Sequence, residues 1–315
     1  MTVHVRTARL DDTQAISALM RQRIGVWQRL DANGAVEDVA YSDLSVYERW
    51  LHGGPWMSIE TGALQLSHLL RGAGLPLVAL AGDEVIGYTE VYNGTEPPPY
   101  GRHLHLSGIT VRADAPPDSA DLLLIHAVQV GQTGRYARIT ANNATSDAET
   151  AAFYTRHGLT PIDQVRRMTI PAKSGQVFYK ATEHPNLDFA QVEGWHLALG
   201  RLGSARYQWE SLWPRTFDAI SEISKRQTHR LNLNAAGNDA YLLIRQQLYQ
   251  PRQADVFCWT PRPPTAQLIT AIRDWAHREG YRRLSLVAVE SVVKMLGLDA
   301  EPDGYAEQVF ALNLM

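Results

Sequence analysis

The apolar positions of this chain switch between a period of two and a period near four, and the switches mark the elements. Val3-His4-Val5-Arg6-Thr7-Ala8 alternates and predicts a strand. Asp11 or Asp12 then stands where a side chain can cap a helix, and Ile16, Leu19, Met20, Ile24 and Trp27 fall on one helical face. From Asn33 to Gly74 the pattern loosens, with helical stretches near Leu44–Leu51 and Ala63–Leu70 and with Trp50 and Trp56 flanking Gly53-Gly54-Pro55. Leu75–Ala81 and Val85–Tyr92 are apolar runs joined by Gly82-Asp83-Glu84, a hairpin signal. Pro97-Pro98-Pro99 breaks the chain before a strand at His103–Val111. A turn at Arg112–Ser119, a helix over Ala120–Gln132, a strand at Arg135–Ala141 and a helix over Ser146–Arg156 follow, closed by His157-Gly158-Leu159. Strand, turn, helix, strand, helix is a β-α-β-α unit, and its first turn is where an open α/β sheet binds a ligand.

Ile170–Gly175 reads as a linker, and the order then repeats. A strand near Gly194–Gly200 and a helix over Trp209–Ile223 precede a hairpin, His229–Asn234 and Ala240–Arg245 around Gly237-Asn238. A strand at Ala254–Trp259, a Pro263-Pro264 turn, a helix over Gln267–Arg278, a strand at Arg283–Val289 and a short helix over Val292–Met295 end at Gly297-Leu298. The turn and helix from Ala115 line up with those from Arg262, Gly134–Ile139 with Gly280–Leu284, and Gly158-Leu159 with Gly297-Leu298. A repeat of this length predicts two copies of one α/β fold with a mixed sheet, divided as residues 1–171 and 176–315.

Composition narrows the class. A chain of 315 residues with 45% apolar and 20% charged residues is globular and suits two domains. A net charge of -3 supplies no basic field for nucleic acid or an anionic membrane. Cys258 is the sole cysteine, so no disulfide forms within the chain; between Phe257 and Trp259 it reads as a buried structural residue. The start lacks a signal-peptide core and no apolar run reaches the length of a membrane span. The expectation is a cytoplasmic monomer or homodimer with neither nucleic acid nor membrane as partner.

One helix carries a specific signature. In Ala151-Ala152-Phe153-Tyr154-Thr155-Arg156-His157-Gly158-Leu159, a Phe-Tyr pair is followed by Gly-Leu four residues after the Tyr. This resembles the F-Y-x-x-x-G-F signature of the GNAT superfamily of N-acetyltransferases, and the opening strand and Asp-capped helix resemble that family's usual start. Tandem pairs occur in the family, so the resemblance covers nearly the whole chain, most strongly over residues 76–170. It implies transfer of an acetyl group from acetyl-coenzyme A, as co-substrate, to a primary amine of a small molecule or peptide.

The resemblance also implies roles. The fourth and fifth strands of the GNAT fold splay, and backbone groups of the fourth, here Ile109, Thr110 and Val111, pair with pantetheine; Asn142 and Asn143 can bond the same arm. The pyrophosphate loop of the family reads Q/R-x-x-G-x-G/A. Here Arg112 stands at its first position, but the glycines are missing, Pro116 and Pro117 lack N–H groups, and Asp114, Asp118 and Asp121 add negative charge. The Ser119 hydroxyl and the helix start at Ala120 remain as donors. The second loop, Arg262-Pro263-Pro264-Thr265-Ala266, also lacks glycines.

Tyr154 fits the slot of the general acid that protonates the departing thiolate, or else simply packs on the sheet; the second copy has Val293 there. The slot of the family's strand glutamate is Ser107, so Glu90 on the neighbouring strand, or His105 with His103 on the same face, are the substitute bases. The two histidines lack a third ligand, and no metal is expected. Asp147 takes the place of the family's helix-start Asn, while Ser146 and Glu149 form an S-x-x-E capping box. Two readings remain: an acetyltransferase with an altered coenzyme site, and a tandem pseudo-acetyltransferase that binds a ligand or partner without catalysis.

Overall fold

The computed structural model describes residues 2–31 and 33–314. Its strands are β1 (Val3–Thr7), β2 (Gln28–Leu30), β3 (Val36–Asp38), β4 (Leu75–Ala81), β5 (Glu84–Glu96), β6 (Gly101–Val111), β7 (Arg138–Ala144), β8 (Thr160–Pro171), β9 (Tyr179–Glu183), β10 (His196–Leu199), β11 (Thr228–Ala235), β12 (Asn238–Gln246), β13 (Gln253–Thr260), β14 (Arg283–Val289) and β15 (Glu301–Asn313). Its α-helices are α1 (Thr13–Arg21), α2 (Val46–Leu51), α3 (Ile59–His68), α4 (Ser119–Thr133), α5 (Ala148–Arg156), α6 (Ala205–Leu212), α7 (Ser221–Ser224), α8 (Ala266–Arg278) and α9 (Glu290–Val293). The class is mixed α/β with a large mixed sheet. None of the described helices is long and apolar enough to cross a membrane.

Two compact units emerge, and neither is continuous in sequence. One holds Met1–Tyr92, Leu106–Val130 and Arg215–Lys225; the other holds Asn93–His105, Gly131–Pro214 and Arg226–Met315. Their borders run through β5 and β6 and do not follow the repeat read from the sequence.

In the first unit the strand order is β1-β4-β5-β6, with β1 and β5 antiparallel to β4. The apolar stripe of α1 places Ile16 and Leu19 in the interior, and Leu66, Leu77 and Ile86 are equally buried. Gly62 lets α3 approach closely, since a Cβ there would lie 3.2 Å from the Trp56 ring. Gly87 does the same for α4, with Leu123 3.0 Å from the place of its missing Cβ. Asp12 does not cap α1 through its side chain; its carboxylate accepts from Arg6 at 2.7 and 2.9 Å and from the Arg9 N–H at 2.6 Å. The helix stops at Arg21, short of Trp27, whose ring instead meets Tyr41 at 5.1 Å and His52 at 4.8 Å.

In the second unit the order is β6-β7-β15-β8-β14-β13-β12-β11-β9, with β10 attached to β13. Alternation sorts its side chains into two cores. Leu242, Ile244, Val256, Leu284 and Leu286 meet Leu268, Ile269 and Ile272 of α8 on one face. Leu243, Phe257 and Trp259 meet Trp209 of α6 and Trp213 just past its end on the other. Trp209 and Trp213 stack at 4.3 Å, and Trp209 meets Trp259 edge-on at 5.0 Å. Thr265 caps α8 by accepting from the Leu268 N–H at 3.2 Å.

Several elements differ from the sequence reading: β2, β3, β8 and β9 are strands it did not name, β8 running through the start of the expected linker to Pro171, and two further differences bear on the second unit. The helix expected over Trp209–Ile223 ends at Leu212, and only Ser221–Ser224 is helical beyond it. Pro214 explains the break, since it lacks an N–H and its ring clashes with the carbonyl four residues back; Trp213, still helical in its backbone, makes the last bond, its N–H donating to Trp209 O at 2.7 Å. The second difference is β15, a strand the sequence pattern did not reveal. Its first part, Glu301-Pro302-Asp303-Gly304, reads as a turn, and its pairing shifts register between Pro302 and Ala306.

β15 decides the topology of the second unit. Glu307–Asn313 pair antiparallel with β7 along one edge, and the other edge pairs with β8. β8 in turn pairs antiparallel with β14 through Val165–Pro171. Each copy's closing strand therefore lies next to strands of the other copy, and the repeat does not separate into two self-contained pieces.

Candidate active site

β6 changes character at Gly108. That residue has φ +124, in the region that favours glycine, and its carbonyl accepts from Thr89 Oγ1 at 2.6 Å. Before it, His103, Leu104, His105 and Leu106 are buried and Ser107 is exposed; after it, Ile109 and Thr110 are half-buried and Val111 is exposed.

The loop that follows is closed by its own bonds. The Arg112 N–H donates to Ile86 O at 2.8 Å, the Ala115 N–H to Arg112 O at 3.0 Å, and the Ser119 N–H to Pro116 O at 3.0 Å. The Ser119 hydroxyl also donates to Pro116 O, at 2.7 Å. The Arg112 side chain pairs with both Glu84 and Asp114, which raise its pKa. Ala120 lies in the first turn of α4, where helix N–H groups point out of the helix.

Glu90 on β5 is buried and accepts from three neutral donors: Trp56 Nε1 at 2.9 Å, Tyr88 OH at 3.0 Å and Tyr92 OH at 2.5 Å. Burial first, and then the Glu90 charge, pushes the Tyr88 phenol well above its ordinary pKa. Trp56 thus anchors this carboxylate, while Trp50 meets Phe217 at 4.5 Å.

In the second unit Tyr154 is buried on α5, with its ring 5.7 Å from Phe153 and 5.7 Å from Phe310 of β15. Burial, with Asp147 second, raises its phenol to about 12, so it carries its proton at neutral pH. The expected Ser146–Glu149 box does not form; Asp147 is the N-cap and accepts from the Thr150 N–H at 3.0 Å. Asn143 Nδ2 donates to Asp147 O at 2.8 Å, and Asn142 Nδ2 to Glu307 Oε2 at 2.7 Å. Both carboxamides therefore brace β7, one against the start of α5 and the other against β15.

The two histidines of β6 are buried as well. His103 Nδ1 meets Gly101 O at 2.9 Å, a contact that puts the ring proton on Nδ1, and its Nε2 faces Glu96 at 3.7 Å. His105 Nδ1 meets Thr140 Oγ1 at 3.2 Å. Burial lowers both imidazole pKa values; His103 and Arg201 lower that of His105 further. Gly203 fits against His105, since a Cβ there would lie 2.9 Å from its Nε2.

Sequence reasoning missed the charged pair beside them. Arg201 donates to Glu96, stacks over the Tyr100 ring at 4.0 Å and donates to Gly203 O at 3.2 Å. Glu96 also accepts from the Ala205 N–H at 2.8 Å. Burial pushes the Glu96 pKa up, but Arg201 and these bonds outweigh it and hold the carboxyl below its usual value. Nothing local marks the pair, since 105 residues separate its members.

In the second copy, β13 and β14 are parallel and pair only from Gln253–Asp255 with Arg283–Ser285. Beyond that point β10 takes the edge of β13, through His196↔Thr260, Leu197↔Trp259 and Leu199↔Cys258. The Gly200 N–H then donates to Val287 O of β14 at 2.7 Å. The chain's own segment thus bridges the opening between the two strands. Gly200 is required there: its φ is +86, and a Cβ would lie 2.3 Å from the Phe257 ring. Cys258 is fully buried in β13, and burial raises its thiol pKa.

No family model matches this sequence, and no curated protein matches it. Solved structures do. A GCN5-related N-acetyltransferase from Anabaena variabilis superposes with a TM-score of 0.62 at 9% identity, over 100% of this chain and 73% of its own. One from Kribbella flavida gives 0.54 at 11% identity, over 99% and 72%. A tandem GNAT protein from the clavulanic acid biosynthesis pathway gives 0.50 at 13% identity, over 100% and 99%. At these identities the likeness speaks for the fold, and the chain has the fold of the tandem GNAT acetyltransferases.

Proposed function

We propose that this protein is an N-acetyltransferase, moving the acetyl group of acetyl-coenzyme A to a primary amine of a small molecule or peptide. The first copy, residues 1–171, carries the reaction, in the cytoplasm, as a monomer or homodimer. The observation that carries the assignment to the first copy is the contrast between the two fourth strands. β6 leaves Ile109–Val111 half-buried or exposed beyond its glycine kink, whereas β10 covers the equivalent part of β13.

In this reading the backbone of Ile109, Thr110 and Val111 holds the pantetheine arm, and Asn142 and Asn143 are the residues proposed to bond the same arm. Arg112, Ser119 and Ala120 lie at the α4 end that receives the pyrophosphate. The amine nitrogen attacks the thioester carbonyl, the C–S bond breaks, and the sulfur takes a proton from Tyr154, whose raised pKa keeps that proton available. Glu90, or His105 in its neutral form, takes the proton of the amine, and Ser107 fills the slot of the family's strand glutamate.

The loop supports the alternative, a non-catalytic tandem protein. Arg112 and Ser119 are already engaged within the protein, and Pro116 and Pro117 offer no N–H to phosphate. A melting curve with acetyl-coenzyme A, paired with an acetyl-transfer assay over a panel of amines, separates the two readings. The enzyme reading expects a rise in Tm, because a ligand of the folded state stabilises it, together with transfer to some amine. Tyr154→Phe should then cut turnover by about 10²–10⁴-fold with Tm unchanged. No shift and no transfer across the panel favours the alternative.

A further inference from the structure

A row of polar side chains crosses the face of the second unit's sheet turned away from α8. Arg245 of β12, Asp255 of β13, Ser285 of β14 and Thr169 of β8 sit in register on four neighbouring strands. Arg283 precedes Ser285 by two residues on β14, and Arg167 precedes Thr169 by two on β8, so both reach the same face. These side chains line a groove of about 580 Å³, large enough for a small molecule.

We propose that this groove binds the carboxylate or phosphate group of a small polar molecule. Three guanidinium groups and two hydroxyls line it, against the carboxylates of Asp255 and Asp303. Both acids are already held by the protein: Asp255 accepts from Gln247 Nε2 at 2.7 Å, and Asp303 from the Tyr305 N–H at 2.9 Å. Their contacts to arginine are long, 3.6 Å from Arg245 to Asp255 and 3.4 Å from Arg167 to Asp303. A guanidinium fork is filled by two parallel N–H bonds to one oxyanion, and neither contact supplies that. Arg245 Nε is buried and meets no acceptor among the described residues. Arg283 reaches Glu301 at the outer rim, at 2.6 Å. The three side chains remain 32%, 35% and 53% exposed at Arg245, Arg167 and Arg283, so an incoming anion can reach them. With Glu301 counted, three carboxylates balance the three guanidinium groups; what the groove offers is N–H donors those acids leave unfilled, Arg245 Nε first among them, and an oxyanion completes them.

The same chemistry has two sources: a separate small anion, or the phosphates of coenzyme A. Calorimetric titration with citrate and with inorganic phosphate at constant ionic strength tests the site on the intact chain, and it does not depend on acetyl transfer. Saturable binding of at least one probe is expected, weakened about tenfold or more by Arg245→Gln and by Arg283→Gln, the loss of one charge-assisted contact. Arg9→Gln, far from the groove in sequence and outside its lining, should leave binding unchanged. If Arg245→Gln fails to fold, Arg283→Gln at the exposed rim carries the test. Coenzyme A that displaces the probe identifies its phosphates as the occupant; coenzyme A that does not identifies a separate anion. Absence of saturable binding by either probe, or equal weakening in all three variants, overturns the proposal.

Discussion

His105 lies under Tyr207, whose ring is 5.7 Å away, against Thr140 and Gly203, with His103 and Arg201 adding like charge. Burial disfavours the imidazolium most, and His103 and Arg201 add to it, so the folded state binds the proton less readily than the unfolded chain, whose histidines titrate near 6.5. The sign follows: the folded pKa is depressed, the unfolded state binds more protons below about pH 6.5, and stability falls as pH falls through that value. Denaturant unfolding between pH 7.5 and 5 should lose up to about 1.4 kcal/mol per pH unit for each such histidine. His105→Gln should flatten part of that slope and leave the rest to His103. The Glu96–Arg201 pair acts in a different window, because a depressed carboxyl is lost only as the solution becomes more acid than the ordinary glutamate range. A stability profile that is flat from pH 7.5 to 5 in the wild type would count against the burial argument for both histidines.

At the scale of elements, β10 and the residue after it are the sharpest feature. Gly200→Ala adds a methyl group 2.3 Å from Phe257 at a backbone φ of +86, so both sterics and the left-handed backbone oppose it. The expected loss is about 2–4 kcal/mol, read as a shift in denaturation midpoint. Gly237→Ala is the control, since its φ is +76 but nothing lies within 4 Å; it should cost only about 1 kcal/mol. Equal losses would mean that packing on Phe257 contributes nothing. Much of the element order was legible because a strand buried on both faces leaves an almost unbroken apolar run: Leu75–Ala81 and Arg283–Val289 fall where such runs put them. So were the helices after each Pro-Pro turn. The helix at Trp209 was drawn too long, because its apolar spacing continues past a proline that the backbone cannot accommodate. At the site, the strand, loop and Tyr154 could be located by pattern, but the engagement of Arg112 by Glu84 and Asp114 depends on which strands lie adjacent. Arg201 against Glu96 depends on the same kind of long-range neighbour, which no local signal encodes.

At the scale of the molecule, strand exchange sets the order in which the fold can be completed. β7 waits for β15, and the bond from Asn142 to Glu307 joins residues 165 positions apart. At ribosomal speeds of roughly 5–20 residues per second, that gap corresponds to on the order of ten to thirty seconds during which β7 has been made and its neighbour has not. Throughout that interval an edge of β7 presents unpaired backbone groups, a template for pairing with another chain. Nascent chains stalled shortly after Gly297 should therefore be cut readily by protease around β7 and β8 and should recruit holdase chaperones, whereas chains carrying β15 should resist. Equal resistance in both would show that the first copy closes its sheet without the second. Birth order, more than final stability, is then where this protein is most exposed to aggregation.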